Sequence, residues 1–232
     1  MELNNVVCRV IIPALNEENA ISKVINEIPI ACVKEIIVVD NGSSDDTVIV
    51  AKASGATVLK EPIRGYGAAC LTGIKYVKEK APNTDIIVFL DADYSDYPQE
   101  LPSVIQPILR DNIDMVIGSR ALGKAEKGAL TPVQAFGNWL SAKLLKLIYK
   151  ANFTDLGPFR AIKFDKLLEL NMQDMNYGWT VEMQVKAAKH KLSFTEVPVS
   201  YRNRIGKSKV SGTLKGSILA GYKILYTIFK YI

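Results

Sequence analysis

Short apolar runs alternate with amphipathic stretches along most of this chain. Residues 6–12, 35–40, 86–91 and 114–118 are compact runs rich in Val and Ile. Unbroken β-branched runs of this length fit strands buried on both faces of a parallel sheet. Residues 57–59 make a shorter candidate strand. Between the runs, residues near 17–28, 45–54, 66–80 and 98–110 carry helical spacing. This alternation predicts an α/β fold with a mainly parallel central sheet and helices on both faces. Ligands of such sheets bind outside the carboxyl ends of the strands.

The polar clusters fall where that rule puts them. Pro13-Ala14-Leu15-Asn16-Glu17 follows the first run, and Asp40-Asn41-Gly42-Ser43-Ser44-Asp45-Asp46-Thr47 closes the second. Asp91-Ala92-Asp93-Tyr94-Ser95-Asp96 follows residues 86–90, and Gly118-Ser119-Arg120 follows residues 114–117. Four strand ends therefore present carboxylates, small residues and an arginine.

The pattern changes past residue 120. Residues 123–128 read as an exposed loop, and Thr131-Pro132 starts a helix with proline at its first position. Phe136, Leu140, Leu144, Leu147 and Ile148 continue it at helical spacing. A turn is expected at residues 155–158, a helix near 180–189, an alternating strand over 194–201, and a helical tail from about 212. These boundaries divide the chain into a main domain, 1–211, and an amphipathic C-terminal helix, 212–232.

Composition narrows the class. Of the 232 residues, 48% are hydrophobic and 23% charged, which suits a globular chain with a sizeable core and excludes disorder, collagen and a disulfide mini-scaffold. The three cysteines, Cys8, Cys32 and Cys70, lack CxxC spacing and read as reduced thiols. The single histidine, His190, excludes a His-rich metal site.

The net charge of +5 conceals an asymmetry: residues 197–232 hold seven basic residues and no acidic one. A cationic tail suits phosphates, an anionic membrane or nucleic acid. Its interleaved Leu, Ile and Phe residues argue against a nucleic-acid arm. No stretch reaches the ~20 apolar residues a spanning helix needs, and residues 1–5 lack the positive start of a secretory signal. The expectation is a cytoplasmic chain able to lie on a membrane without crossing it.

Asp91 and Asp93, one residue apart on a loop leaving a strand, can both reach one hard divalent cation such as Mg²⁺ or Mn²⁺. They equally suit a capped turn before Pro98. Asp40 ends a buried strand, where an unpaired carboxylate is costly; it can accept from a base NH or ribose hydroxyls, or serve a loop. Arg64-Gly65-Tyr66-Gly67 opens a helix but lacks the third glycine and the preceding strand of a dinucleotide fingerprint. Arg120, Arg202, Arg204, Lys207 and Lys209, with Ser208 among them, can surround two phosphates or form a solvated basic loop.

Val10-Ile11-Ile12-Pro13-Ala14-Leu15-Asn16-Glu17, Val38-Val39-Asp40 with the loop to Thr47, Asp91-Ala92-Asp93 and Gly118-Ser119-Arg120 together resemble family 2 glycosyltransferases of the GT-A fold. Gly206-Lys207-Ser208-Lys209 resembles the basic loop of the dolichol-phosphate mannosyltransferase branch. The resemblance implies a single Rossmann-like GT-A domain and inverting transfer of a hexose from a nucleotide sugar to polyprenyl phosphate. It implies that Pro13, Ala14, Glu17 and Asp40 hold the base and ribose, with Asp91, Ala92 and Asp93 at the donor diphosphate. Asp91 and Asp93 would hold Mg²⁺ or Mn²⁺. Arg120, Arg202, Arg204, Lys207, Ser208 and Lys209 would bind acceptor phosphate and leaving diphosphate, with Asp93 and the three arginines as the catalytic set.

The chain departs from that branch in three places. Ser95 stands where the branch often has Gln, Asn203 stands at the branch arginine with Arg202 and Arg204 on either side, and Asp155–Arg160 differs from the usual segment. UDP-glucose and GDP-mannose therefore both remain as donors. A lipid phosphate is already anionic and attacks without a base. A glycan or protein hydroxyl would need one, and Glu182 is the candidate, with Asp155 weaker. A non-catalytic nucleotide-binding module is a further alternative. The lysine-bearing amphipathic segments 133–148 and 214–232 suit a membrane interface, the core or a second subunit. Expected partners are thus the donor, the lipid acceptor and a membrane surface, with a homodimer or membrane subunit compatible and no nucleic acid.

Overall fold

The computed structural model describes residues 6–206 and 214–232. Its described residues form one seven-stranded sheet, ordered β3-β2-β1-β4-β6-β5-β7. These strands are β1 (Cys8–Ala14), β2 (Glu35–Asp40), β3 (Thr57–Lys60), β4 (Ile86–Phe89), β5 (Met115–Ser119), β6 (Arg160–Lys163) and β7 (Phe194–Pro198). Pairing is parallel except at β6, which runs antiparallel to both β4 and β5.

Successive strand residues point to opposite faces, so a fully apolar strand feeds two cores. Ile11, Ile37, Val39 and Phe89 join one core, while Val10, Ile12, Val38 and Val88 join the other. The first is covered by α3 (Tyr66–Lys80), α7 (Trp179–Lys189) and parts of α5 (Pro132–Tyr149) and α6 (Phe164–Glu169). The second is covered by α1 (Ile21–Glu27), α2 (Thr47–Ala53) and α4 (Leu101–Asp111). The expected α/β sheet with helices on both faces is what forms.

Two elements depart from the sequence pattern. β6 carries Arg160, whose side chain is fully buried and donates to the carbonyls of Leu156, Gly157 and Thr180. That charge hides the strand from a search for apolar runs. α6 follows at once and has six residues, too few to show a helical repeat.

α5 begins where Thr131-Pro132 predicts it. Thr131 and Gln134 form a reciprocal capping box. The C-terminal helix α8 (Leu214–Lys230) packs on α5 and α7, with Ile228 fully buried in the first core. The expected boundary between residues 211 and 212 lies outside the described residues. No helix among the described residues is long and apolar enough to cross a membrane.

Candidate active site

The carboxyl ends of β1, β2, β4 and β5 meet at one edge of the sheet and line a cleft of about 590 Å³. β1 supplies Pro13 and Ala14, with Glu17 just beyond it. The loop after β4 supplies Asp91, Ala92 and Asp93; Arg120 follows β5, and Arg204 lies beyond β7. Asp40, Arg202 and Glu182 are not in this lining.

Asp93 is 5% exposed and its oxygens are engaged. Oδ1 accepts from the Ser95 amide at 2.9 Å and the Ser95 hydroxyl at 2.5 Å. Oδ2 meets Arg204 Nη1 at 3.0 Å. Ser95, which stands in the place of a branch glutamine, thus orients Asp93.

Asp91 accepts from the Tyr66 hydroxyl at 3.1 Å. Desolvation, then the neighbouring Asp93 charge, pushes its carboxyl up to about 7, against the pull of Tyr66, Arg204 and Arg120. Two crowded carboxylates of this kind call for a cation. Asp96, 2% exposed, has neither oxygen hydrogen-bonded among the described residues; burial, then Asp91 and Asp93, push it well above the ordinary range. The donor set of hard oxygens fits Mg²⁺ or Mn²⁺. The described residues contain no cage of three or more His, Cys, Asp or Glu side chains. A cation held by Asp91 and Asp93 would therefore complete its shell with substrate oxygens and water.

The three arginines sit in different environments. Arg120 is clamped by Asp155, with Nη2–Oδ1 at 2.6 Å and Nε–Oδ2 at 2.8 Å, and lies over the Tyr201 ring at 4.9 Å. Burial works against its charge, but Asp155 outweighs burial and holds the guanidinium firmly protonated. Arg202 stacks 3.3 Å from the Tyr94 ring centroid and 4.1 Å from that of Tyr97, and pairs with Glu27 at 2.7 Å. It also donates to the carbonyls of Tyr94 and Asp96. The Arg202 guanidinium is thus engaged by Glu27 of α1 and by the loop after β4, and it does not line the cleft. Arg204 bridges Asp93 and Glu17 within the cleft, the latter at 3.0 Å. Lys207, Ser208 and Lys209 lie outside the described residues.

Asp40 accepts from the Ser43 amide at 3.0 Å and shapes the turn after β2. Its neighbour Asn41 lines the cleft instead, donating to the carbonyls of Glu61 and Ile63 and accepting from the Gly65 amide at 2.7 Å. This pins the turn that presents Tyr66. A Cβ on Gly65 or Gly67 would lie 2.0 or 1.9 Å from the carbonyl oxygen of Met175 or Asp174, so glycine is required where α3 meets that loop.

Glu182 is fully buried on α7 and accepts from the Gln173 and Asp174 amides, Lys186 and the Tyr231 hydroxyl. Burial pushes its carboxyl up, but these bonds outweigh burial and leave it below the ordinary value. Glu182, the candidate base for a hydroxyl acceptor, is thus held among structural partners and is absent from the cleft lining.

A second cavity, about 900 Å³ and mostly apolar, runs between α5 and α8. It shares Tyr66, Asp91, Arg120, Gln134 and Tyr177 with the cleft. Sequence reasoning missed Tyr66, Tyr177 and Tyr201 as lining residues. The glycines flanking Tyr66 were the available signal.

The profile of glycosyl transferase family 2 matches residues 9–170, and the chain belongs to that family. A glycosyltransferase of Mycobacterium tuberculosis named as uncharacterized is 36% identical over 213 residues, covering 91% of this chain and 93% of that protein. The UDP-N-acetylglucosamine–dolichyl-phosphate N-acetylglucosaminyltransferase of Methanococcus voltae is 30% identical over 241 residues, covering 94% and 93%. Glucosyl-3-phosphoglycerate synthase of Mycobacterium tuberculosis, solved with phosphoglyceric acid, superimposes with a TM-score of 0.76 at 25% identity, covering 99% of this chain and 82% of that one. The fold is GT-A and the chain is a glycosyltransferase.

Proposed function

We propose that this enzyme transfers a hexose, with inversion, from a nucleotide sugar to polyprenyl phosphate at the cytosolic face of a membrane, with Mg²⁺ or Mn²⁺. The observation that carries this reading is the junction of two cavities. A polar cleft fit for a nucleotide sugar and an apolar groove fit for a prenyl chain meet at Asp91 and Arg120. The dolichyl-phosphate acceptor in the name of the Methanococcus voltae relative supports the same acceptor class.

In this reading each cleft residue has a part. Pro13, Ala14 and Glu17 face the nucleoside, with Asp40 fixing the turn beside them. Arg204 faces the leaving diphosphate. Arg120, at the junction, faces the acceptor phosphate. A phosphate oxygen attacks the anomeric carbon as the bond from that carbon to the diphosphate oxygen breaks, and the bonding pair leaves with the diphosphate. The acceptor is already an anion at neutral pH, so no side chain has to remove a proton. A divalent ion on Asp91 and Asp93 would supply positive charge against the departing diphosphate. Fixed cations in a low-dielectric cleft stabilise that developing charge without reorganising.

The exposed apolar residues of α5 and α8 suit a membrane surface. Val133, Phe136, Trp139, Ile218, Tyr222 and Phe229 are exposed, and neither helix carries an acidic residue.

The test offers labelled UDP-glucose, UDP-N-acetylglucosamine and GDP-mannose in turn to a short polyprenyl phosphate in detergent with Mn²⁺ or Mg²⁺. Metal-dependent label in the organic phase, lost in Asp93→Ala, is expected. Metal-dependent nucleotide release without lipid label would move the acceptor to a hydroxyl. Neither signal would leave a binding module.

A further inference from the structure

Arg204 differs from the other two expected phosphate ligands in what holds it. Arg120 is held by Asp155, and Arg202 by Glu27 and two tyrosine rings. Arg204 is held by Asp93 and Glu17, which are themselves cleft residues. Its Nη1 takes the Asp93 oxygen that Ser95 leaves open. A guanidinium and a divalent ion repel one another, so they cannot share that oxygen at contact distance without cost.

A second observation is a guanidinium donor left over in this arrangement. Arg204 Nε is buried and has no hydrogen-bond partner among the described residues. Buried donors are nearly always satisfied, by protein groups or by water, so this one is open to an acceptor that enters the cleft. A diphosphate presents oxygens in the paired geometry that a guanidinium fork prefers. The Ile205 amide donates to the Asp93 carbonyl at 2.9 Å, so the backbone beside Arg204 is tied to the same loop and any exchange of partners falls to the Arg204 side chain, which is 29% exposed.

We infer that Arg204 is a resident counter-cation of the metal site, holding Asp93 until a divalent ion and a nucleotide diphosphate arrive, and then passing to the diphosphate. The inference rests on the metal-dependent donor reading above and adds a coupling to it. Metal and diphosphate each free the other's ligand: the ion displaces Arg204 from Asp93, and the diphosphate gives Arg204 a new partner. Each therefore binds better in the presence of the other.

The test measures free Mn²⁺ by electron paramagnetic resonance in titrations of wild type, Arg204→Met and Arg204→Gln, first with Mn²⁺ alone and then with UDP or GDP added. Circular dichroism confirms that each variant is folded. Arg64→Met is the control, because it removes a cleft charge that does not touch Asp93. Without nucleotide, both Arg204 variants are expected to bind Mn²⁺ several-fold more tightly than wild type, and Arg64→Met to change little. With the diphosphate, wild type gains much more Mn²⁺ affinity than the Arg204 variants do. Equal or weaker metal binding by the nucleotide-free Arg204 variants would overturn the inference. So would an equal gain from the diphosphate in all proteins, or an equal effect from Arg64→Met. A wild type that takes up no Mn²⁺ even with UDP or GDP fails differently: the metal-dependent donor reading falls, and the inference with it.

Discussion

Arg120 and Asp155 are joined by three hydrogen bonds: both Arg120 side-chain contacts, at 2.8 and 2.6 Å, and the Arg120 backbone amide, at 2.7 Å, converge on one carboxylate. Asp155 is 1% exposed and the Arg120 side chain 13%. The pair fixes the guanidinium where the cleft meets the apolar groove. Asp155→Asn leaves that guanidinium without its counter-charge. Removing one member of a buried pair costs about 3–5 kcal/mol. Urea unfolding is expected to show a loss of this order, with a raised KM for the phosphate acceptor in the protein that remains folded. A variant as stable as wild type would mean that Arg120 is held by something other than Asp155.

Glu182 anchors the loop before α7 and the end of α8 through Tyr231. Its folded pKa lies below its ordinary value of 4.5, because hydrogen bonds outweigh burial. The stabilisation from its ionised form is therefore complete above pH 4.5 and fades as pH falls through the lower folded value. Glu182→Gln is expected to be less stable than wild type at pH 7, with the gap closing below pH 4.5. Transfer per folded molecule should stay close to wild type. A general base contributes about a hundredfold or more. A loss of that size with an intact fold would restore the hydroxyl-acceptor alternative.

β1, β2, β4 and β5 were legible because apolar residues fill most of their positions. β2 matches its expected bounds, and β1, β4 and β5 match to within two residues. The strand-end clusters were legible for the opposite reason, since polar residues that interrupt such runs stand out. What was not legible depends on distant chain segments. Arg202 and Arg204 are two residues apart with similar surroundings in sequence. Their roles diverge because Arg202 meets Glu27, 175 residues away, and Arg204 meets Glu17, 187 residues away. Glu182 stands between Val181 and Met183 in sequence, and only the approach of the Gln173–Asp174 amides and of Tyr231, just after α8, reveals it as an interior anchor.

The apolar groove makes a prediction that separates acceptor from donor. Gly221 lines it on α8, and a Cβ added there would meet nothing within 4 Å. Gly221→Leu should fill part of the groove while stabilising the helix by about 0.5–1 kcal/mol. Crowding a packed site costs about 1–3 kcal/mol, so KM for polyprenyl phosphate should rise about tenfold. Affinity for UDP or GDP should not change. A raised nucleotide Kd with unaltered acceptor KM would show that the groove does not serve the acceptor.

The membrane reading rests on a face that carries aromatic residues and lysines together. Phe136 is 61% and Trp139 54% exposed, with their rings 5.9 Å apart on α5. Lys143, Lys146 and Lys150 follow on or just after the same helix, and Lys230 lies on α8. Aromatic rings at the headgroup level and lysines toward anionic lipid are the two forces that hold an interfacial helix. Fully burying an aromatic side chain contributes about 1.5–3 kcal/mol. Rings already half-covered contribute less, so a joint Phe136→Ser and Trp139→Ser change should weaken binding to vesicles containing phosphatidylglycerol by about tenfold or more. Sedimentation with those vesicles checks this. Added salt should weaken wild-type binding as it screens the lysines, while the variant should retain the same salt dependence at lower affinity. Unchanged sedimentation of the variant would assign this face to a protein neighbour instead, because an aromatic pair that contributes nothing at a lipid surface has no reason to stay exposed there.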